Sequence, residues 1–292
     1  MELQSYIDKA SVLAEALPYI QSFRGKTVVV KYGGSTLTPE GGADTVLRDL
    51  VFMEHVGINP VVVHGGGPAI DRRLRERNVE TRRVNGLRIT DRATMQVVEE
   101  VLAGEINSGL VREIDSLGGR VRGLSAREAG VLHVRPHVAQ TREGPVDLGF
   151  VGDVVRVDAA PLQDLIDVET IPVVAPIGRG EDGEAYNVNA DTAAGEIAAA
   201  LGAEKLVFLT DVTGILENPA DESSLISTVP VDEVQGLIDT GVLQGGMIPK
   251  ARAGVRSVRA GVRKTHIVDG RIPHSLLLEF FTDEGVGSQI LR

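Results

Sequence analysis

The sequence predicts an α/β protein built on an open, mainly parallel sheet. Two stretches carry that prediction. In Thr27-Val28-Val29-Val30-Lys31-Tyr32-Gly33-Gly34-Ser35 a short unbroken β-branched run ends in a lysine, two glycines and a serine. Such a run reads as a strand buried on both faces, as in parallel sheets. Pro60-Val61-Val62-Val63-His64-Gly65-Gly66-Gly67-Pro68 repeats the arrangement, again with glycines following a buried strand. Glycines there let the chain turn and bring backbone N–H groups close to a ligand. A helix opening after each turn adds donors and a partial positive charge. Two such turns at the ends of successive strands face one sheet edge, where open α/β folds bind ligands. Neither matches G-x-x-x-x-G-K-[ST] or G-x-G-x-x-G, so the P-loop and the usual dinucleotide fingerprint are both missing.

The bulk numbers exclude several classes. The chain has 292 residues, 42% hydrophobic and 24% charged, with a net charge of −11. That charge argues against a nucleic-acid partner or an anionic membrane face, though not against a nucleotide held in a local basic site. Without cysteine there are neither disulfides nor thiolate metal sites. No signal-peptide pattern and no long apolar span appears, so a soluble cytoplasmic protein is the expectation.

In order, Leu3, Tyr6, Ile7, Ala10, Leu13, Ala14 and Leu17 recur at helical spacing, and Pro18 should end or kink that helix. Its stripe either packs on its own domain or docks on another subunit. A helix is expected over 43–57, and a charged one carries Arg72, Arg73, Arg75, Glu76 and Arg77, most simply a solvated face. Asn85-Gly86 signals a turn before Leu87-Arg88-Ile89-Thr90, where Arg88 either pairs internally or awaits an anion. A long helical pattern over 94–117, capped by Thr90 or Asp91, ends at Gly118-Gly119. Residues 120–160 read as short strands and turns; His133 and His137 lack the spacing of metal ligands. After a buried strand at 171–178, Asn187-Val188-Asn189-Ala190-Asp191 opens an Ala-rich helix, with Asp191 a candidate cap. A strand at 205–209 runs into Thr210-Asp211-Val212-Thr213-Gly214, and Gly245-Gly246-Met247-Ile248-Pro249-Lys250 is one more glycine turn closed by a lysine. A strand at 265–268 and a helix or strand around 275–281 finish the chain. A division between lobes is expected in the loop near 178–186.

Two lysines at distant glycine turns, with an aspartate before a helix, point to phosphoryl transfer. Charge spreads over the transferring group, and catalysis is mostly positioning and neutralisation. An aspartate between two ammoniums holds both in place, and a carboxylate acceptor needs no general base.

These segments, Val30 to Gly34, His64 to Pro68, Asn85 to Thr90, Asn187 to Asp191, Thr210 to Gly214 and Gly246 to Lys250, resemble the amino acid kinase family. Within it they are most similar to the members that phosphorylate N-acetyl-L-glutamate on the way to arginine. The resemblance covers about residues 26–291, and N-G-L-R-x-T and N-V-N-A-D are its most specific parts. It implies a three-layer αβα sandwich around a mainly parallel open sheet, with the acylated amino acid in a lobe over 24–180 and ATP in a lobe over 181–292. It implies that Lys31 and Lys250 stabilise the transferring phosphoryl group and that Asp191 organises them. Gly33, Gly34, Gly66 and Gly67 would supply backbone amides, and Arg88 and Asn187 would grip the substrate's carboxylates. Thr210, Asp211, Gly214, Leu216 and Gly246 would line the nucleotide pocket, and Mg2+ would bridge the phosphates, with no metal site made by the protein alone.

The resemblance also speaks to regulation. Members with a helix before the first strand are arginine-inhibited hexamers, trimers of dimers, and residues 1–23 supply such a helix. Lys205, His266, Glu279 and Gly287 match the positions of an arginine site; Ser288 stands where threonine is usual. Rival readings are an aminoadipate-, glutamate-, carbamate- or UMP-type kinase, a non-catalytic nucleotide sensor, and a Rossmann-type dehydrogenase. Arg88 and N-V-N-A-D favour a dicarboxylate acceptor.

Overall fold

The computed structural model describes residues 2–33, 43–141, 143–282 and 285–292. The chain begins with α1 (Glu2–Phe23), β1 (Thr27–Tyr32), α2 (Ala43–His55), β2 (Asn59–His64) and α3 (Gly67–Glu76). A short hairpin, β3 (Arg83–Val84) and β4 (Leu87–Arg88), leads to α4 (Arg92–Glu99), a π-helical turn (Glu100–Ile106) and α5 (Asn107–Ser116). Then come β5 (Val121–Ser125), β6 (Leu132–Thr141), β7 (Gly144–Val157), α6 (Ala160–Asp167), β8 (Ile171–Ala175), β9 (Ile177–Gly180) and β10 (Ala185–Asn187). The remainder is α7 (Ala190–Ala200), β11 (Lys205–Thr210), β12 (Thr228–Pro230), α8 (Val234–Asp239), α9 (Met247–Arg259), β13 (Lys264–Asp269), α10 (Ser275–Phe280) and β14 (Ser288–Leu291).

The described strands form an eight-stranded sheet in the order β12-β14-β13-β11-β1-β2-β8-β5. Its pairs are parallel except β13 with β14. Because successive side chains leave a strand on opposite faces, the runs read as buried are sorted into two cores. Val29, Val61, Val63, Leu206 and Phe208 join the core under α7, α9 and α6. Val28, Val30, Val62, Val207 and Leu209 join the core under α2, α5 and α10. That is the three-layer αβα sandwich. In α7 small residues let α9 approach: a Cβ on Gly195 would lie 3.2 Å from the Ala253 carbonyl oxygen.

The central strands β1, β2, β8 and β11 all point their carboxyl ends at one edge. There the first two turns touch, since a Cβ on Gly33 would stand 2.8 Å from the Gly65 nitrogen. Glycine at 33 is therefore demanded by packing between the turns.

Two expectations need correction. Residues 120–160 are not short pieces: β6 and β7 form a long bulged hairpin, closed with β9 and β10 into a small four-stranded barrel. The register shifts beside Pro136, which cannot donate to the ladder, broke the alternation that would have shown it. Residues 181–184, within the loop expected near 178–186, are the turn of the β9–β10 hairpin. Of the end or kink expected at Pro18, the end is absent, and α1 runs on to Phe23. Its last turns pack Tyr19 against Phe281 and Phe23 against Phe280, with ring centroids 6.4 and 5.2 Å apart, which offsets the lost backbone bond. The first turns of α1 expose Leu3, Tyr6, Ile7 and Leu13. No described helix is long and apolar enough to cross a membrane.

Candidate active site

At the centre of the carboxyl edge one carboxylate holds two lysines. Lys31, near the end of β1, reaches Asp191 Oδ1 at 3.2 Å, and Lys250 in α9 donates to Asp191 Oδ2 at 2.9 Å. All three side chains are at most 15% exposed. Asp191 is free for this because it is not the helix cap. Asn189 is, accepting from the N–H groups of Asp191 and Thr192 at 3.0 Å each. Burial on its own would raise the Asp191 carboxyl, but the ammoniums of Lys31 and Lys250 outweigh it and hold the pKa below the ordinary carboxylate value. Two cations against one anion leave a surplus positive charge in a desolvated place.

Beside the triad lies a cleft of about 240 Å³, lined among others by Lys31, Gly66, Gly67, Arg88, Asn187 and Asp191. It is below the usual range for drug-sized ligands, so it suits a small acceptor. Helix α3 opens onto it from Gly66, its cap residue. Arg88 settles the choice left open by spacing by doing both: it is 6% exposed, donates to Asp71 Oδ1 at 2.5 Å and to the Gly67 carbonyl at 3.3 Å, and still lines the cleft. Asn187 at the end of β10 donates to Thr90 Oγ1 at 3.4 Å, and that hydroxyl donates to the Arg88 carbonyl at 2.9 Å. The cleft thus joins a fixed guanidinium, an amide, a helix N-terminus and the Lys31 ammonium, with Lys250 held on the other oxygen of Asp191, donors suited to an anion that gains a phosphoryl group.

Residues 26–269 match the family model described as Amino acid kinase family. The chain is 50% identical over 291 residues to the acetylglutamate kinase of Heliobacterium modesticaldum, covering 98% of this chain and 99% of that protein. Among solved structures it superposes on N-acetylglutamate synthase from Neisseria gonorrhoeae complexed with coenzyme A and N-acetyl-glutamate, with a TM-score of 0.82 and 26% identity. That match covers 97% of this chain and 63% of the synthase chain. The same synthase complexed with coenzyme A and L-arginine matches with a TM-score of 0.79, 26% identity, and 97% and 65% of the two chains. The chain belongs to the amino acid kinase family. Within the amino acid kinases it falls in the acetylglutamate kinase group, enzymes that transfer a phosphoryl group to a carboxyl group.

The other predicted residues of this amino acid kinase that the structure describes lie outside the cleft lining. Gly33 sits beside Lys31, whose Nζ is 3.5 Å from the Cβ position. Gly34 lies outside the described residues. Thr210 ends β11, and its hydroxyl donates to Asp211 Oδ1 at 3.3 Å. At Gly214 a Cβ would meet Leu225 and the Ser288 hydroxyl at 2.7 Å, the same hydroxyl that accepts the Ile215 N–H at 2.8 Å. Serine at 288 therefore keeps that contact. Leu216 bridges to Leu225, and Gly246 caps α9, which carries Lys250 one turn in. Among the described residues no group of three or more His, Asp or Glu side chains is placed to hold a metal ion.

Lys205, His266, Glu279 and Gly287 do come together, around a second cavity of about 270 Å³ under the end of α1. His266 Nδ1 lies 2.5 Å from Glu279 Oε1, and the Val286 N–H donates to Glu279 Oε2 at 3.1 Å. Burial pushes the His266 pKa down, so the imidazole is neutral and donates. Burial would raise Glu279, but the bonds from His266 and Val286 and the nearby Lys205 keep it low. The Lys205 ammonium stands 4.9 Å over the Phe23 ring and 4.5 Å over Phe280, and burial pushes its pKa down to about 8.

Sequence reasoning missed one residue of the cleft lining, Arg83, and the carboxylate that anchors it, Asp71. Asp71 in α3 accepts from Arg88 and also from Arg83 Nη2 at 2.8 Å, and Arg83 lines the cleft mouth. Burial would raise Asp71, but the two arginines hold it below the ordinary value.

Proposed function

We propose that the chain transfers the terminal phosphoryl group of Mg–ATP to the γ-carboxylate of N-acetyl-L-glutamate in arginine biosynthesis, giving the acyl phosphate and ADP. The observation that carries this is Asp191 held between Lys31 and Lys250 beside a cleft with a buried arginine. The ionised γ-carboxylate attacks phosphorus; its O–P bond forms as the bond to the ADP oxygen breaks, with no proton to move. Lys31 and Lys250 neutralise the equatorial oxygens while Asp191 keeps the ammoniums apart. Gly33, Gly34, Gly66 and Gly67 offer backbone N–H groups, and Arg88 and Asn187 hold the carboxylate that does not react. The nucleotide lies over 181–292 near Thr210, Asp211, Gly214, Leu216 and Gly246, and the acceptor over 24–180. Mg2+ arrives with the nucleotide, in keeping with an ion that keeps its waters and binds through substrate phosphates.

Feedback by L-arginine belongs to the same reading. A neutral imidazole, a carboxylate and two aromatic rings around the second cavity suit a guanidinium on an apolar stem, and the related synthase has been seen with L-arginine. The exposed stripe of α1 is then the contact between dimers in a homohexamer working in the cytoplasm.

One assay tests this: hydroxylamine trapping with Mg–ATP and N-acetyl-L-glutamate, with and without L-arginine. The expected result is hydroxamate that arginine suppresses. Hydroxamate indifferent to millimolar arginine would overturn the feedback, and none at all would overturn the substrate. Size-exclusion showing only dimers would overturn the hexamer.

A further inference from the structure

Behind the second glycine turn lies a buried polar chain whose one end is tied to Gly65, a residue of the cleft lining. His64, the last residue of β2, is fully buried; its Nδ1 is 3.1 Å from the Gly65 carbonyl oxygen and its Nε2 is 3.2 Å from Asn107 Nδ2. The same Asn107 nitrogen donates to the Val173 carbonyl at 2.8 Å, which fixes which end of the amide faces the histidine. An amide nitrogen only donates, so Nε2 must accept and the proton must sit on Nδ1. Nδ1–H therefore donates to the Gly65 carbonyl. Burial, which pushes the imidazole down to about 4, keeps it in that neutral form at ordinary pH.

Two further features accommodate this chain. Asn107 follows directly on the π-helical turn Glu100–Ile106, a wide turn of the kind often found at functional sites. From that turn Leu102 and Ile106 press on Gly66, where a Cβ would stand 2.5 and 2.6 Å from them. Across the sheet, a side chain at Gly123 would collide with the Asn107 amide oxygen. Room has been made on both sides for one asparagine and one turn.

The consequence follows from peptide geometry. In a planar trans peptide the C=O of one residue and the N–H of the next point in opposite directions. With the Gly65 carbonyl tied inward by His64, the Gly66 N–H is directed away from the histidine, and Gly66 itself lines the cleft. We infer that His64, locked as the Nδ1–H tautomer by Asn107, is a positioning residue that aims the Gly66 N–H at the reacting anion. This rests on the reading of the cleft as the acceptor site.

The test uses the geometry of amides. The Asn side-chain nitrogen overlays imidazole Nδ1, so His64→Asn keeps a donor to the Gly65 carbonyl. His64→Gln puts its amide where Nε2 was and loses that donor. Both leave a cavity, so both lower the melting temperature. The expected result is kcat down by roughly 10- to 100-fold in His64→Gln, with KM for ATP within about 2-fold, against a loss of about 3-fold or less in His64→Asn. Equal losses in both, or losses in neither, would overturn the inference. A wild-type protein that forms no hydroxamate would fail the acceptor reading instead. The tautomer is then read independently by 15N NMR of histidine-labelled protein: a protonated Nδ1 and an unprotonated Nε2, unchanged from pH 5.5 to 8, are expected, and an Nε2–H tautomer overturns the inference.

Discussion

Two of the carboxylates buried in the molecule, Asp191 and Glu279, sit in otherwise similar settings and are used oppositely. Asp191 lies between two ammoniums, 3.2 and 2.9 Å away, so its charge is spent and the surplus around it is positive. Glu279 accepts from a neutral imidazole and a backbone N–H, while the nearest cation, Lys205, is parked on two phenyl rings with its pKa pushed down to about 8. Its own charge is hydrogen-bonded but not cancelled. The lesson is that a buried acid does not announce its ligand; the count of full charges within reach does. The first cluster waits for an anion. The second, on the proposal above, waits for a cation.

The largest effect should come from cancelling the first cluster's one negative charge. Asp191→Asn leaves two ammoniums facing each other across a site that excludes water, where like charges repel strongly. Their positions on the phosphoryl oxygens are then lost. Steady-state hydroxamate assays should show kcat lower by roughly 10²- to 10³-fold, the scale seen when one preorganised electrostatic group is removed. KM for ATP should change far less. A variant that altered KM alone would mean that Asp191 shapes the cleft and not the charge.

The two clusters also differ in how legible they were. Lys31 and Lys250 stood out because one opens and the other closes a glycine turn, a local signal. Their meeting at Asp191 depends on α9 lying close on α7, which small residues such as Gly195 permit but no spacing announces. Asp71 and Arg83 were hidden because they flank the charge run Arg72 to Arg77, where a side chain that serves the cleft and one turned toward water look alike. Asn107 was hidden more deeply: a polar residue inside the pattern over 94–117 reads as solvent-facing, and only the π turn before it brings it to the sheet. The central sheet was readable because the unbroken apolar runs of β1 and β2 mark buried strands, while the αβα layers came with the family resemblance; half-buried strands show instead as a period of two. The β6–β7 hairpin was not, because its bulges break that period.

A smaller effect, confined to regulation, would separate the clusters from the other side. Glu279→Gln keeps the size of the side chain and removes the charge that the second cavity offers. Titration calorimetry should show L-arginine binding weakened by about 10-fold or more, the scale of one charge-assisted hydrogen-bonded pair. The uninhibited kcat should stay within about 2-fold. A loss of kcat without loss of arginine binding would mean that the two cavities have been assigned the wrong way round.

The smallest effect concerns the lysine that the second cluster holds at arm's length. Lys205 is depressed from 10.5 to about 8 in the fold, with Glu204, Arg263 and Lys264 around it as well as Glu279. Below pH 8 both the folded and unfolded chains carry the proton, and the fold bears the full cost of burying it. Between pH 8 and 10.5 the unfolded chain binds more protons than the folded one, so this group makes stability rise with pH. Lys205→Met removes the titration. Melting curves of the two proteins should therefore diverge most below pH 8 and converge as pH approaches 10.5, by an amount on the order of a few degrees. Tyr32 and Tyr186 have raised pKa values and titrate alike in both proteins, so the difference between curves isolates the lysine. Parallel curves would mean that the aromatic pair and Glu279 hold the ammonium as comfortably as water does. Lys205 would then count as a full positive charge, and the contrast with Asp191 would narrow to the number of cations alone.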